Sequence, residues 1–167
     1  MTHRIILFRG MNTGGVRAPV AEQRAMAEEM GLKNPHTLQA SGNLVVESGK
    51  ATAALETDIE REMERRFGLK VAAMVRTPEQ WAKLIAANPF PKEAKAHPTK
   101  VVAMVMKDGI KLGAPEAVQG LCRDGERVEA VDGVLYFWFP NGQGQSEIFK
   151  KATPRMAWAP AATGTRC

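Results

Sequence analysis

Leu55, Ile59, Met63 and Phe67 recur at every fourth position, which places them along one face of a helix. Short apolar runs of β character flank that stripe, Leu44 to Val46 before it and Val71 to Val75 after it. A helix with one apolar face between two strands has to bury that face on the sheet the strands build. This excludes a helical bundle and an all-β sandwich for this part of the chain, and it sets the frame for what lies on either side.

Toward the N-terminus, Ile5 to Phe8 reads as a buried strand ending at Arg9-Gly10. Pro19 opens a helix at its first position, and Gly31 stops that helix after Met30. A strand begins over Thr37 to Gln39, and Ser41-Gly42-Asn43 supplies turn chemistry before Leu44. Gly68 ends the striped helix. Thr77-Pro78-Glu79-Gln80 is a capping box with proline at the first helical position, so another helix starts there. Trp81, Leu84 and Ile85 form its expected buried face. The resulting order of strand, helix, strand, strand, helix, strand is the split βαβ, or ferredoxin-like, pattern.

Three prolines between Pro89 and Pro98 read as a linker. Beyond it the order begins again. Val101 to Met106 is a strand, Pro115 to about Leu121 a short helix, and Arg127 to Val131 and Val134 to Phe139 a hairpin closed by Asp132-Gly133. Pro140 to Gln145 is a glycine loop, and Ser146 to about Lys151 forms one or two helical turns with Ser146 as the expected cap. The expected fold class is therefore α+β, with two tandem ferredoxin-like subdomains and mainly antiparallel sheets. The expected divisions are 1–88 for the first unit and its connecting helix, 89–99 for the linker, and 100–167 for the second unit.

The 167 residues are 44% apolar and 25% charged, with a net charge of +5, the profile of an ordinary globular protein. No membrane partner is expected, because the longest aliphatic run, Val101 to Met106, falls far short of the roughly 18 residues a span needs. Cys122 and Cys167 have no metal-ligand spacing and no CxxC, a usage that fits a reducing compartment. Met1 to Phe8 is too short and too weakly apolar for a signal-peptide core. Together these point to a cytoplasmic protein.

His3, His36 and His97 stand apart with no ligand at neighbouring spacing, so no metal is implied, and no cofactor motif is present. No G-x-S-x-G elbow occurs, and the mixed charges from Glu60 to Arg66 read as a solvated helix face. Tyr136 to Phe139 alternate on one strand and are expected in the core on both of its faces.

The candidate site comes from topology. In a split βαβ unit the loop after the first strand and the hairpin between the second and third lie at the same edge of the sheet. Here those segments contain Arg9, Gly10, Asn12, Gly14 and Gly15, and then Ser41, Gly42 and Asn43. Exposed backbone N–H groups near a helix start suit an anion or a phosphate, and Arg9 adds a planar fork of donors. The loop matches neither the P-loop nor the dinucleotide GxGxxG. Glycines also serve tight loops with no ligand at all, and Asn12 and Asn43 can satisfy local backbone groups.

Two other readings accompany the small-ligand one. The first is a nucleic-acid module that uses the basic tail (Lys150, Lys151, Arg155, Arg166, with no acidic residue after Ile148) and Trp158. The second is a protein-interaction module whose loops are structural. Against base stacking of the RNA-recognition type, the first strand offers only Phe8, and Leu44 to Val46 offers no aromatic.

Four segments also carry a resemblance. Leu7 to Gly15 is similar to a family opening of the form LLRGINVGG, and Gln39 to Val45 is similar to its QSGN segment with Ala40 added. Asn88-Pro89-Phe90 matches an NPF turn, and Tyr136 to Ser146 resembles an LYxxxPxGxGxS stretch. On these the chain resembles the bacterial family catalogued as domain of unknown function 1697. The resemblance implies two ferredoxin-like subdomains and no established activity. It also implies a final helix after a T-x-R-N-W segment, and Thr163 to Cys167 stops where that helix would begin. An uncovered sheet there would favour self-association.

Overall fold

The computed structural model describes residues 2–9, 18–38, 43–107, 109–148, 151 and 165–166. The chain divides into two compact units, Met1–Ala82 and Lys83–Cys167. The first contains strand β1 (Thr2–Arg9), helix α1 (Val20–Glu29), β2 (Lys33–Leu38), β3 (Asn43–Ser48), α2 (Thr52–Phe67) and β4 (Ala72–Arg76). Its four strands lie in the order β2-β3-β1-β4, and every neighbouring pair is antiparallel.

The stripe read from the sequence is the core of this unit. Leu55, Ile59 and Met63 are buried together with Ile6, Phe8, Leu44, Val46, Ala73 and Val75, the inward residues of three strands, and Phe67 packs against them partly buried. Residues two apart on each strand share this face, as the period of a strand requires. Gly31 and Gly68 stand at the two helix ends with φ of 76° and 65°, the left-handed geometry that lets an L-chain leave a helix. Strand β2 contains Pro35 and breaks register between Lys33 and His36, where Asn34 takes φ 49°. Such a strand is tolerated because β2 is an edge, where a missing N–H breaks no ladder.

Helix α3 (Pro78–Ala86) spans the division between the units. Its capping box is formed as read: Thr77 N–H donates to Gln80 Oε1 at 3.0 Å, and Gln80 N–H donates to Thr77 Oγ1 at 3.2 Å. Leu84 is buried, whereas Ile85, expected beside it, is 54% exposed.

The second unit continues with α4 (Pro91–Ala96), β5 (Val101–Val105), α5 (Ala114–Gln119), β6 (Arg127–Val131), β7 (Val134–Trp138) and β8 (Thr165–Arg166). The segment expected as a linker is folded instead. It holds α4 and a 3₁₀ turn at Pro98–Lys100, and Phe90 is 1% exposed. The prolines act as helix openers: Asn88 Oδ1 accepts the Phe90 N–H at 2.9 Å, and Pro91 begins α4. The second sheet runs β6-β7-β5, with the two-residue β8 on the far side of β5, again antiparallel throughout. Asp132 and Gly133 both take positive φ, 49° and 77°, the geometry of a type I′ hairpin.

Strand β7 is apolar on both faces. Leu135, Phe137 and, beyond the strand, Phe139 join a core with Val102, Met104, Val118 and Ile148. On the other face Tyr136 is fully buried, and its hydroxyl donates to the Leu84 carbonyl at 2.7 Å. Trp138 is half-buried and stands near His97, with ring centroids 6.3 Å apart. Ser146 is buried, and its Oγ accepts the Ile148 N–H at 3.2 Å, the local bond expected of a helix cap.

Candidate functional site

The register of the first sheet brings ends of all four strands together at one end of the sheet. Ile6 pairs with Leu44 across β1 and β3, so the C-terminal end of β1 runs toward the N-terminal end of β3. Leu38 pairs with Asn43 at the closed end of β2 and β3. Arg9 pairs with Ala72 at the start of β4. Arg9, Leu38 and Asn43 therefore stand at one end of the sheet. Arg9 and Asn43 are half-buried, and Leu38 is 56% exposed. The other residues of the expected site, Gly10, Asn12, Gly14, Gly15, Ser41 and Gly42, lie outside the described residues.

Helix α1 begins near this edge in sequence, with Pro19 at the cap position and no side chain capping its first turn. Gln23, which the sequence reading passed over, is fully buried one turn in. Its Nε2 donates to the Ala18 carbonyl at 2.6 Å, and its Oε1 has no hydrogen-bond partner. The signal was available: Gln23, Met26 and Ala27 form the buried stripe of α1, and a glutamine in such a stripe has to find partners.

A second polar feature lies between the end of α1 and the outer face of α2. It is an open cleft of about 350 Å³ lined by Glu29, Met30, Lys50, Asp58, Arg61, Glu62 and Arg65. Lys50 Nζ lies 2.6 Å from Asp58, Arg61 2.9 Å from the same carboxylate, and Arg65 2.6 Å from Glu62. The hydrogen bond from Lys50 holds the Asp58 carboxyl below the usual carboxylate range, and the Arg65 bond does the same for Glu62. Each of these cations already faces a carboxylate, so the cleft attracts an external anion weakly. Arg66 reaches to Glu29 of α1 at 2.7 Å.

The run Glu60 to Arg66 is therefore only partly a solvated face. Glu60 is half-buried and accepts the Ala73 N–H at 2.8 Å. His3, His36 and His97 are all exposed. Among the described residues no three His, Cys, Asp or Glu side chains are grouped to hold a metal ion. Burial raises the Cys122 thiol above its ordinary pKa, which keeps it protonated and a poor nucleophile near neutral pH. Among the described residues no helix is long and apolar enough to cross a membrane. Trp158, Lys150 and Arg155 of the basic tail lie outside the described residues.

Comparison with known proteins agrees with the architecture. The family profile described as "Protein of unknown function (DUF1697)" matches residues 1–136. The solved structure of the conserved bacterial protein SP0830 from Streptococcus pneumoniae is similar, with a TM-score of 0.76 at 17% identity over 97% of this chain and 91% of that one. At that identity the likeness speaks to the fold. No curated protein matches the sequence.

Proposed function

The chain belongs to the DUF1697 family, and from that premise we propose that it binds a small phosphorylated or otherwise anionic ligand at the Arg9 edge of its first sheet. The observation that carries this reading is the register. It brings the end of β1, with Arg9, and the β2–β3 hairpin, with Asn43, to one end of the sheet. In this reading Arg9 holds the charge of the ligand, backbone N–H groups of Gly10, Gly14, Gly15 and Gly42 cradle it, and Asn12, Ser41 and Asn43 orient it. The role proposed is binding, with no reaction assigned. The shared strand order of the two sheets supports reading both units as ferredoxin-like, in a cytoplasmic bacterial protein.

The test is a thermal-shift panel of nucleotides, sugar phosphates, and short DNA and RNA at low and high salt. A ligand at 100 times its dissociation constant stabilises the protein by about 2.7 kcal/mol. A shift from a small phosphate that survives salt and is lost in Arg9→Ala supports the proposal. A shift from oligonucleotides alone, falling steeply with salt, overturns it in favour of the basic tail. No shift with any probe also overturns it and leaves the loops as structural elements of an interaction module.

A further inference from the structure

Strand alternation assigns every residue near Arg9 to a face. Ile6, Phe8, Leu44 and Val46 belong to the core. Residues one position away along each strand stand on the opposite, outward face. The pairing arranges that face in rows. Arg9 stands in the first, Leu7, Asn43 and Leu38 in the second, and Val45 and His36 in the third. Successive rows are two residues, or about 7 Å, apart. Toward β1 the second row is buried at Leu7. Toward β2 the face opens, with Leu38 and His36 exposed and Asn43 and Val45 half-buried. The His36 ring is tethered, because its Nδ1–H donates to the Asn34 carbonyl at 2.6 Å.

Arg9 differs from the other arginines in what surrounds it. Arg61, Arg65, Arg66, Arg76 and Arg127 each face a carboxylate. Among the described residues none accepts a hydrogen bond from the half-buried Arg9 guanidinium, and none bonds to the Asn43 amide. Among the described residues no carboxylate stands in these three rows. The next along β3, Glu47, is one row further on and accepts from Asn34 Nδ2 at 3.0 Å.

We infer that the ligand of the Arg9 edge is a nucleoside phosphate, with its phosphate on Arg9 and its base lying on Leu38, Val45 and His36. The inference rests on the anion site proposed above and adds what the anion is attached to. A half-buried guanidinium with no counter-charge suits a phosphate held by two parallel hydrogen bonds. An exposed leucine and an imidazole on one face give a planar ring an apolar and aromatic seat. The Asn43 amide, between the two, donates and accepts at once, which matches a base edge or a ribose hydroxyl. A bare sugar phosphate leaves the second and third rows uncovered.

Calorimetric titration of the full chain with AMP, ribose 5-phosphate and adenosine tests the inference, together with methyl NMR. AMP should bind at least about tenfold more tightly than either of the others, since only it engages both parts of the site. Arg9→Ala should remove the binding of both phosphates. Leu38→Ser, at an exposed edge position, should weaken AMP by about five- to tenfold. The base should move the Leu38 and Val45 methyl resonances upfield through its ring current and leave those of Val46, on the core face, in place. Equal affinity for AMP and ribose 5-phosphate, unmoved Leu38 and Val45 methyls in the bound state, or unchanged AMP affinity in Leu38→Ser would each overturn the inference and leave the Arg9 anion site standing. AMP binding that survives Arg9→Ala, or no binding by any of the three probes, would overturn both.

Discussion

Removing one oxygen from Tyr136 isolates the bond that joins β7 to α3. In the last turn of α3 the Ala87 N–H takes the Lys83 carbonyl and the Asn88 N–H takes the Ile85 carbonyl, so the Leu84 carbonyl between them is passed over. Such last-turn carbonyls need a partner from outside the helix. The Tyr136 hydroxyl supplies it at 2.7 Å, in a fully buried position. Tyr136→Phe keeps the ring and its packing but leaves that acceptor buried with no donor. A buried acceptor stranded in this way costs about 1–3 kcal/mol, or roughly 5- to 150-fold in the unfolding constant. The assay is urea denaturation followed by tryptophan fluorescence in variants that keep either Trp138, in the second unit, or Trp81, in the first. The transition reported by Trp138 should move to lower urea with an unchanged slope. A change within about 0.3 kcal/mol of wild type would refute the reasoning, because water or another donor would then be reaching the Leu84 carbonyl at no cost.

Other expectations concern packing, backbone and charge. Phe90→Ala should cost about 3–5 kcal/mol, because Phe90 is fully buried, whereas Arg127→Ala, which removes only an exposed cation 4.9 Å above that ring and its bond to Glu93, should cost about 1 kcal/mol or less in the same denaturation assay. Gly133→Ala should cost about 1–2 kcal/mol, since φ is 77° and an added Cβ meets nothing within 4 Å, so the penalty is one of conformation alone. Gly49→Ala, in open space without a positive φ, should be neutral or add up to about 1 kcal/mol in the same denaturation assay. An NMR titration should find Asp58 ionising below the ordinary aspartate range, and Lys50→Met should move it back up. Its folded-state pKa is depressed, so its stabilising effect is present above the ordinary range and lost as pH falls through the folded value.

The elements that were legible in the sequence are those whose signal is local. The helix stripe Leu55, Ile59 and Met63, the Thr77 to Gln80 capping box and the Asp132-Gly133 turn all stand where the residues placed them. Each depends on a period or a backbone preference spanning only a few residues. The segment from Pro89 to Pro98 was misread because proline marks helix starts as well as breaks. What distinguishes the two here is the burial of Phe90, a contact with residues far along the chain. Ile85 was placed in the core by its spacing, but α3 is only nine residues long and buries a narrower face than its apolar residues span.

For the candidate edge, the sequence supplied residue types and order, and from these the joining of Arg9 and Asn43 at one end of a sheet could be argued in advance. The bonds of Glu56 and Glu60 to β4 could not be read in this way. A glutamate on a helix looks the same in sequence whether it faces water or a strand edge. Residue order alone placed most of the strands and the longer helices, and the apolar stripe of α2, because those depend on neighbours along the chain; the short α4 and the exposure of Ile85 did not follow from it. Only the tertiary structure decided which backbone groups are left at an edge and which side chains reach them. Those are distances between residues that the chain separates by as many as nineteen positions, and they exist only after the core has set α2 against β4.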